Sequence, residues 1–146
     1  MKSYFRKVNY YETDKMGVVH HSNYFRYFEE ARTSFMEQCG YPYSRLEAEG
    51  IISPVVSISC RYRKPLRYGE SMEIRVYLTR MSRVKTAFRY EVLDAATGEL
   101  RATGESEHGY LDENGRIVSV EKTAGEYYAV FLAEEEPAEG AVSRPK

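Results

Sequence analysis

YFRYFEEARTSFMEQCG, residues 24–40, is a segment that can bury only one side of itself. Tyr24, Phe28, Ala31, Phe35 and Cys39 fall on one face at a 3.6-residue period, and Arg26, Glu29, Glu30, Thr33 and Glu37 fall opposite. The spacing predicts an amphipathic helix that begins at Ser22 or Asn23, either of which can cap it, and stops at Gly40 ahead of Pro42. Glu29 and Glu30 read as solvated charges. A helix of this kind needs an apolar surface to lie on.

The rest of the chain supplies one. Val56, Ile58, Cys60 and Tyr62 alternate with Ser57, Ser59, Arg61 and Arg63, a period of two that makes a half-covered strand. Met72, Ile74, Val76 and Leu78 repeat the pattern after a turn at Pro65–Gly69. Val84, Thr86, Phe88, Tyr90 and Val92 repeat it again, and the hairpin loop DAATG, Asp94–Gly98, leads into a last strand from Leu100 to Asp112. These four segments read as a meander. Upstream, Tyr4–Glu12 is rich in Tyr and Phe and reads as a strand. Downstream, Thr123 and Glu126 make a T-x-x-E capping box ahead of Tyr127, Val130 and Phe131. The order β-α-β-β-β-β plus a short C-terminal helix is an α+β fold, with one long helix against an antiparallel sheet. One helix cannot cover both faces and edges of such a sheet, so a homo-oligomer is expected.

With 146 residues the chain suits one domain, which would bury ~70% of the surface its unfolded form exposes. Residues 1–133 form that domain. Residues 134–146, EEEPAEGAVSRPK, carry clustered charge and few large apolar groups, and read as a loose tail. A net charge of −1 gives no reason to expect a nucleic-acid partner. The start MKSYFRKVNYY lacks the apolar run of a signal peptide, and no window suits a membrane span, so a cytoplasmic protein is expected. Cys39 and Cys60 have no CxxC or Cys/His cluster around them and read as reduced core thiols. Neither a metal nor a bound cofactor is expected.

Chemistry concentrates in Tyr11–Tyr24, YETDKMGVVHHSNY. A carboxylate, a glycine and two histidines lie within a few residues of a helix start, whose unpaired N–H groups suit a developing oxyanion. Asp14 is then either a capping group or a base aimed at the same carbonyl.

The pattern D-x-x-G-V-V-x-H-x-x-Y, carried by Asp14, Gly17, Val18, Val19, His21 and Tyr24, is followed by Phe28, Glu29, Ala31 and Arg32, which spell F-E-x-A-R on the helix. From Arg6 to about Asp112 the chain resembles the 4-hydroxybenzoyl-CoA thioesterase branch of the hotdog superfamily, including the YbgC-like thioesterases associated with the bacterial Tol-Pal system. The resemblance implies the hotdog fold, a sheet wrapped around one long central helix, and hydrolysis of an acyl-CoA to free acid and CoA. It assigns the essential carboxylate to Asp14, as nucleophile or general base, and polarisation of the carbonyl to the backbone around His21. The His21 side chain could orient water, donate to the leaving sulfur, or only fix the loop. His20, outside the pattern, reads as structural or surface.

Gly17 is expected to supply a backbone conformation or a close approach. Val19, Asn23, Tyr24 and Phe28 are placed at the helix start and acyl pocket, with Tyr27 and Val56 bearing on its depth. Arg80, Ser82, Arg83 and Lys85, in TRMSRVKT, are the candidates for coenzyme A, against the bland alternative of a solvated basic hairpin. Arg61, Arg63 and Lys64 form a weaker second group. No glycine-rich phosphate loop is present. Expected partners are an acyl-CoA substrate, a second or fourth copy of the chain and an acyl carrier protein as another thioester donor. The competing functions are a non-catalytic acyl-binding hotdog module and a hotdog dehydratase or hydratase.

Overall fold

The computed structural model describes residues 1–136. Five antiparallel strands form one sheet: β1 (Lys2–Lys7), β2 (Val55–Tyr62), β3 (Ser71–Met81), β4 (Lys85–Asp94) and β5 (Leu100–Gly109). Its spatial order is β1-β3-β4-β5-β2. The helices are α1 (Asn23–Gln38), α2 (Tyr43–Ala48), α3 (Val120–Thr123) and α4 (Gly125–Ala133). This is the α+β hotdog arrangement, with α1 across the inner face.

Period two in the sequence becomes a buried inner face. Met72, Ile74, Val76 and Leu78 of β3 and Thr86, Phe88, Tyr90 and Val92 of β4 all point inward. The apolar side of α1 lands on them. Phe28 stacks on Tyr90 with ring centroids 4.4 Å apart, and Phe35 meets Phe88 edge-on at 5.5 Å and Phe131 of α4 at 5.9 Å. Burying such aromatic faces is worth about 1.5–3 kcal/mol for each side chain. Gly40, at φ +78°, ends α1 as expected.

Only β3, β4 and β5 form a meander. β2 skips β3 and pairs with β5, leaving it as an edge strand, because alternation fixes which face a strand buries and says nothing about its neighbour. The first strand stops at Lys7, and Tyr10–Glu12 coils into a 3-10 turn, since Glu12 is drawn inward by partners described below. Neither expected cap forms. Ser22 bonds through Oγ with His20 Nδ1 at 2.8 Å, Asn23 Nδ2 donates to the Glu12 carbonyl at 3.0 Å, and Thr123 ends α3 with Oγ1 donating to the Ser119 carbonyl.

Most of the expected tail, residues 137–146, lies outside the described residues. Glu135 and Glu136 are held: Glu135 Oε2 accepts from the Met81 amide at 2.6 Å, and the Glu136 amide donates to the Leu78 carbonyl at 2.7 Å. Cys39 and Cys60 are half-buried free thiols, each pushed up to about 11 by burial. No described helix is long and apolar enough to cross a membrane.

Candidate active site

The segment after β1 folds back on itself because Asp14 is bonded in three ways. Its amide donates to the Val18 carbonyl at 2.9 Å, its carbonyl accepts from Gly17, and its Oδ1 accepts from the Met16 amide at 2.8 Å. Gly17 at φ +75° closes the turn, and nothing lies within 4 Å of where its Cβ would stand, so it serves conformation and not close approach. Val19 then donates to Leu66, which fastens the loop to the crossing between β2 and β3.

Glu12 anchors this loop at both ends. Its carbonyl accepts from the His20 amide at 2.8 Å and from Asn23, while its buried carboxylate accepts from the Asn9 amide, the Tyr27 hydroxyl and Arg6. Arg6 also pairs with Glu30, which accepts the Tyr4 hydroxyl. Burial and the Glu12 bond raise the Tyr27 hydroxyl well above its ordinary range. Sequence reasoning missed Glu12. The Asn9-x-x-Glu12 spacing, a capping-box pattern, was the signal available.

At the mouth of α1 three amides are engaged. Ser22 N–H reaches His20 Nδ1, Asn23 N–H the His20 carbonyl, and Tyr24 N–H the His21 carbonyl. The His21 N–H has no acceptor among the described residues. It stands where the helix partial charge is positive.

Asp14, Val19, His21 and Tyr24 line one open cavity of about 300 Å³, with Tyr62, Arg63, Lys64 and Pro65 on its other side. Tyr62, a residue not foreseen here, donates to the His21 carbonyl at 3.2 Å and meets Tyr24 edge-on at 4.9 Å. Burial pushes the Tyr24 hydroxyl up to about 12. The His21 ring is exposed against His20, with centroids 4.2 Å apart.

Several expected lining residues lie elsewhere. Phe28 and Tyr27 are fully buried, the first against Tyr90 and the second with its hydroxyl on Glu12, so neither borders this cavity. Asn23 is a buried tie. Val56 is exposed on the edge strand. Arg80, Ser82, Arg83 and Lys85 sit at the β3–β4 turn, at the far end of an eleven-residue strand from the Asp14 loop, roughly 30 Å away within one chain. Of the second basic group, Arg63 and Lys64 border the cavity and Arg61 does not.

The fold and loop define a hotdog protein in which Asp14 and His21 line one cavity at the mouth of α1. Residues 8–138 match the family described as the thioesterase-like superfamily, and the chain belongs to it; it is a thioester hydrolase. It is 34% identical over 126 residues to YneP of Bacillus subtilis, named as an acyl-CoA thioesterase, covering 86% of this chain and 91% of that one. The Escherichia coli acyl-CoA thioester hydrolase YbgC is 29% identical over 89 residues, 61% of this chain and 66% of its own. A DHNA-CoA thioesterase from Staphylococcus aureus superposes with a TM-score of 0.85 at 30% identity, covering 90% of this chain and 88% of that one.

Proposed function

We propose that the protein hydrolyses acyl-CoA thioesters, with Asp14 as catalytic carboxylate and the His21 amide N–H as donor to the thioester carbonyl oxygen. The observation that carries this reading is that Asp14 and His21, whose N–H has no acceptor among the described residues, line the same cavity. Only Oδ1 of Asp14 is tied by the loop, which leaves Oδ2 for chemistry. In the general-base route Asp14 takes a proton from water as the new C–O bond forms at the carbonyl carbon. The C–S bond then breaks, and the thiolate of coenzyme A, a fair leaving group, recovers a proton. As nucleophile, Asp14 would form an anhydride that water opens. A base contributes ~10² to 10⁴ in rate and one oxyanion donor ~10² to 10³.

The working unit in this proposal is at least a dimer. β2 is an edge strand whose Val55, Val56 and Tyr62 are 48%, 58% and 49% exposed, an apolar edge that invites a second copy. If β2 pairs with its own copy antiparallel about its centre, Val55 of one chain faces Tyr62 of the other. The β3–β4 turn of the second copy then comes to the Asp14 end, where its Arg80, Ser82, Arg83 and Lys85 can meet coenzyme A beside Arg63 and Lys64.

The test is thiol release from short, medium, long and aromatic acyl-CoAs, with acyl carrier protein thioesters as a further arm. Asp14→Asn can keep the Met16 bond, so it should fold normally and lose at least a hundredfold in kcat. Unchanged release by that variant, or binding without turnover by the wild type, overturns the proposal.

A further inference from the structure

A second cavity of about 300 Å³ lies at the other end of β2, between α1 and the inner face of β4 and β5. Its walls include Met36 and Phe88, and its polar groups include Arg32, His108, Thr86 and Glu29. The reaction as described uses none of them. A volume of this size is at the lower end of pockets that hold small organic ligands.

A hydrogen-bond chain that starts at a guanidinium runs beneath this cavity. Arg32 Nη1 donates to the Tyr90 hydroxyl at 3.0 Å, Tyr90 bonds with Ser106 Oγ at 2.6 Å, and Ser106 bonds with His108 Nε2 at 2.8 Å. A guanidinium can only donate. Tyr90 therefore accepts from Arg32; in the arrangement that uses every hydroxyl proton along the chain, Tyr90 donates to Ser106 and Ser106 donates to His108 Nε2. Burial, with the Arg32 charge second, pushes the His108 imidazole down to about 4, so at neutral pH it carries one proton. In that arrangement the proton is on Nδ1. His108 is 4% exposed, lines the cavity, and its Nδ1 has no partner among the described residues. An N–H on a cavity wall that has no protein acceptor is free to donate to a ligand oxygen.

We infer that this cavity receives the far end of the acyl group and selects acyl groups carrying a neutral oxygen there, a hydroxyl or a carbonyl, read by His108 Nδ1–H and the guanidinium of Arg32. Glu29 at the mouth disfavours a carboxylate in the same place and can accept from a hydroxyl. The inference rests on the proposed hydrolysis and on the β2 pairing, which sets this cavity of one copy beside the Asp14 cavity of the other. His108 and Arg32 are specificity residues here, remote from the reacting carbon.

The experiment compares matched pairs differing by one oxygen: benzoyl-CoA with 4-hydroxybenzoyl-CoA, and hexanoyl-CoA with 6-hydroxyhexanoyl-CoA. The ratio of kcat/KM between hydroxylated and plain members should fall about tenfold in His108→Phe, chiefly through KM, as expected for one lost hydrogen bond in a buried site. Ser106→Ala, which frees the tautomer without removing the ring, should lower the ratio less. An unchanged ratio in both variants overturns the inference even if hydrolysis is robust. A second arm needs no turnover: ¹⁵N-histidine spectra of the wild type should show the Nδ1–H tautomer at His108, with the Nδ1 signal moved by p-cresol and not by toluene. An Nε2–H tautomer, or equal shifts from the two, overturns it. Absence of thiol release with a p-cresol-selective shift removes the hydrolysis proposal and leaves the oxygen-reading pocket standing.

Discussion

The Tyr27 hydroxyl donates to Glu12 Oε1 at 2.9 Å, joining the inner face of α1 to the turn that precedes the Asp14 loop. Because the same carboxylate holds the Asn9 amide and Arg6, it fixes where the loop starts, and its own carbonyl fixes where the loop ends. Glu12→Ala takes from the part-buried Arg6 guanidinium one of its two carboxylate partners, leaving it Glu30, and strips the Tyr27 hydroxyl and the Asn9 amide of their acceptor. The expected cost is about 2–3 kcal/mol, the range for losing hydrogen bonds to a charged group. Urea unfolding should show it, and kcat should fall with it. Tyr27→Phe, which removes one bond only, should cost about 1 kcal/mol.

Gly104 of β5 is the second point where one atom matters. A Cβ there would stand 2.4 Å from the Phe28 ring and 2.9 Å from the Ser59 carbonyl oxygen. Gly104→Ala must push the ring off Tyr90 or bend β2 away from β5. Overpacking of this kind costs about 1–3 kcal/mol. The expected result is a lower urea midpoint together with a changed near-ultraviolet circular dichroism signal from the Phe28–Tyr90 stack. An unchanged spectrum and midpoint would show that the ring is not confined there.

The depressed His108 predicts a defined acid limb. Its folded pKa of about 4 lies below its ordinary 6.5, so the unfolded chain takes up a proton first as pH falls. The contribution is complete above pH 6.5 and is lost between about 6.5 and 4, at roughly 3 kcal/mol in total. Carboxylates held down by hydrogen bonds, such as Glu73 by Ser3 and Asp94 by the Thr97 and Ala96 amides, lose their stabilisation only as pH falls through the carboxylate range below about 4.5. Unfolding free energies at pH 7 and pH 5 therefore isolate His108. His108→Phe should flatten the curve across that window.

What the sequence made legible followed periodicity and local chemistry. The inner positions of β3 and β4, the apolar face of α1 and the turn at Gly17 all follow from spacing or from a single backbone requirement. The pairing of β2 with β5 did not, because a strand read by alternation carries no label for its neighbour. Phe28 is expected at the pocket, yet the missing side chain at Gly104 leaves room for its ring to lie down in the sheet against Tyr90. Glu12 was hidden for a different reason: its partners Arg6 and Tyr27 lie on separate elements, and an acid beside a loop ordinarily faces solvent. The chain from Arg32 to His108 spans α1, β4 and β5 and has no footprint in any one segment.

Val56 tests the proposed pairing of β2. It is 58% exposed on the free edge, and pairing about the strand centre sets it opposite Arg61 of the second copy. Val56→Lys then places two cations face to face and removes apolar area, while a lone chain tolerates the change because the side chain is already in solvent. By light scattering, the wild type should weigh at least twice the 16.9 kDa of one chain, and Val56→Lys should shift toward 16.9 kDa as protein is diluted. Thiol release should fall in step with the loss of dimer, because the Asp14 cavity and the basic β3–β4 turn meet only across the pair. Val56→Thr, which keeps strand propensity and adds no charge, should preserve both mass and activity. A fully active 16.9 kDa species at every concentration would separate catalysis from pairing and leave coenzyme A to Arg63 and Lys64 alone.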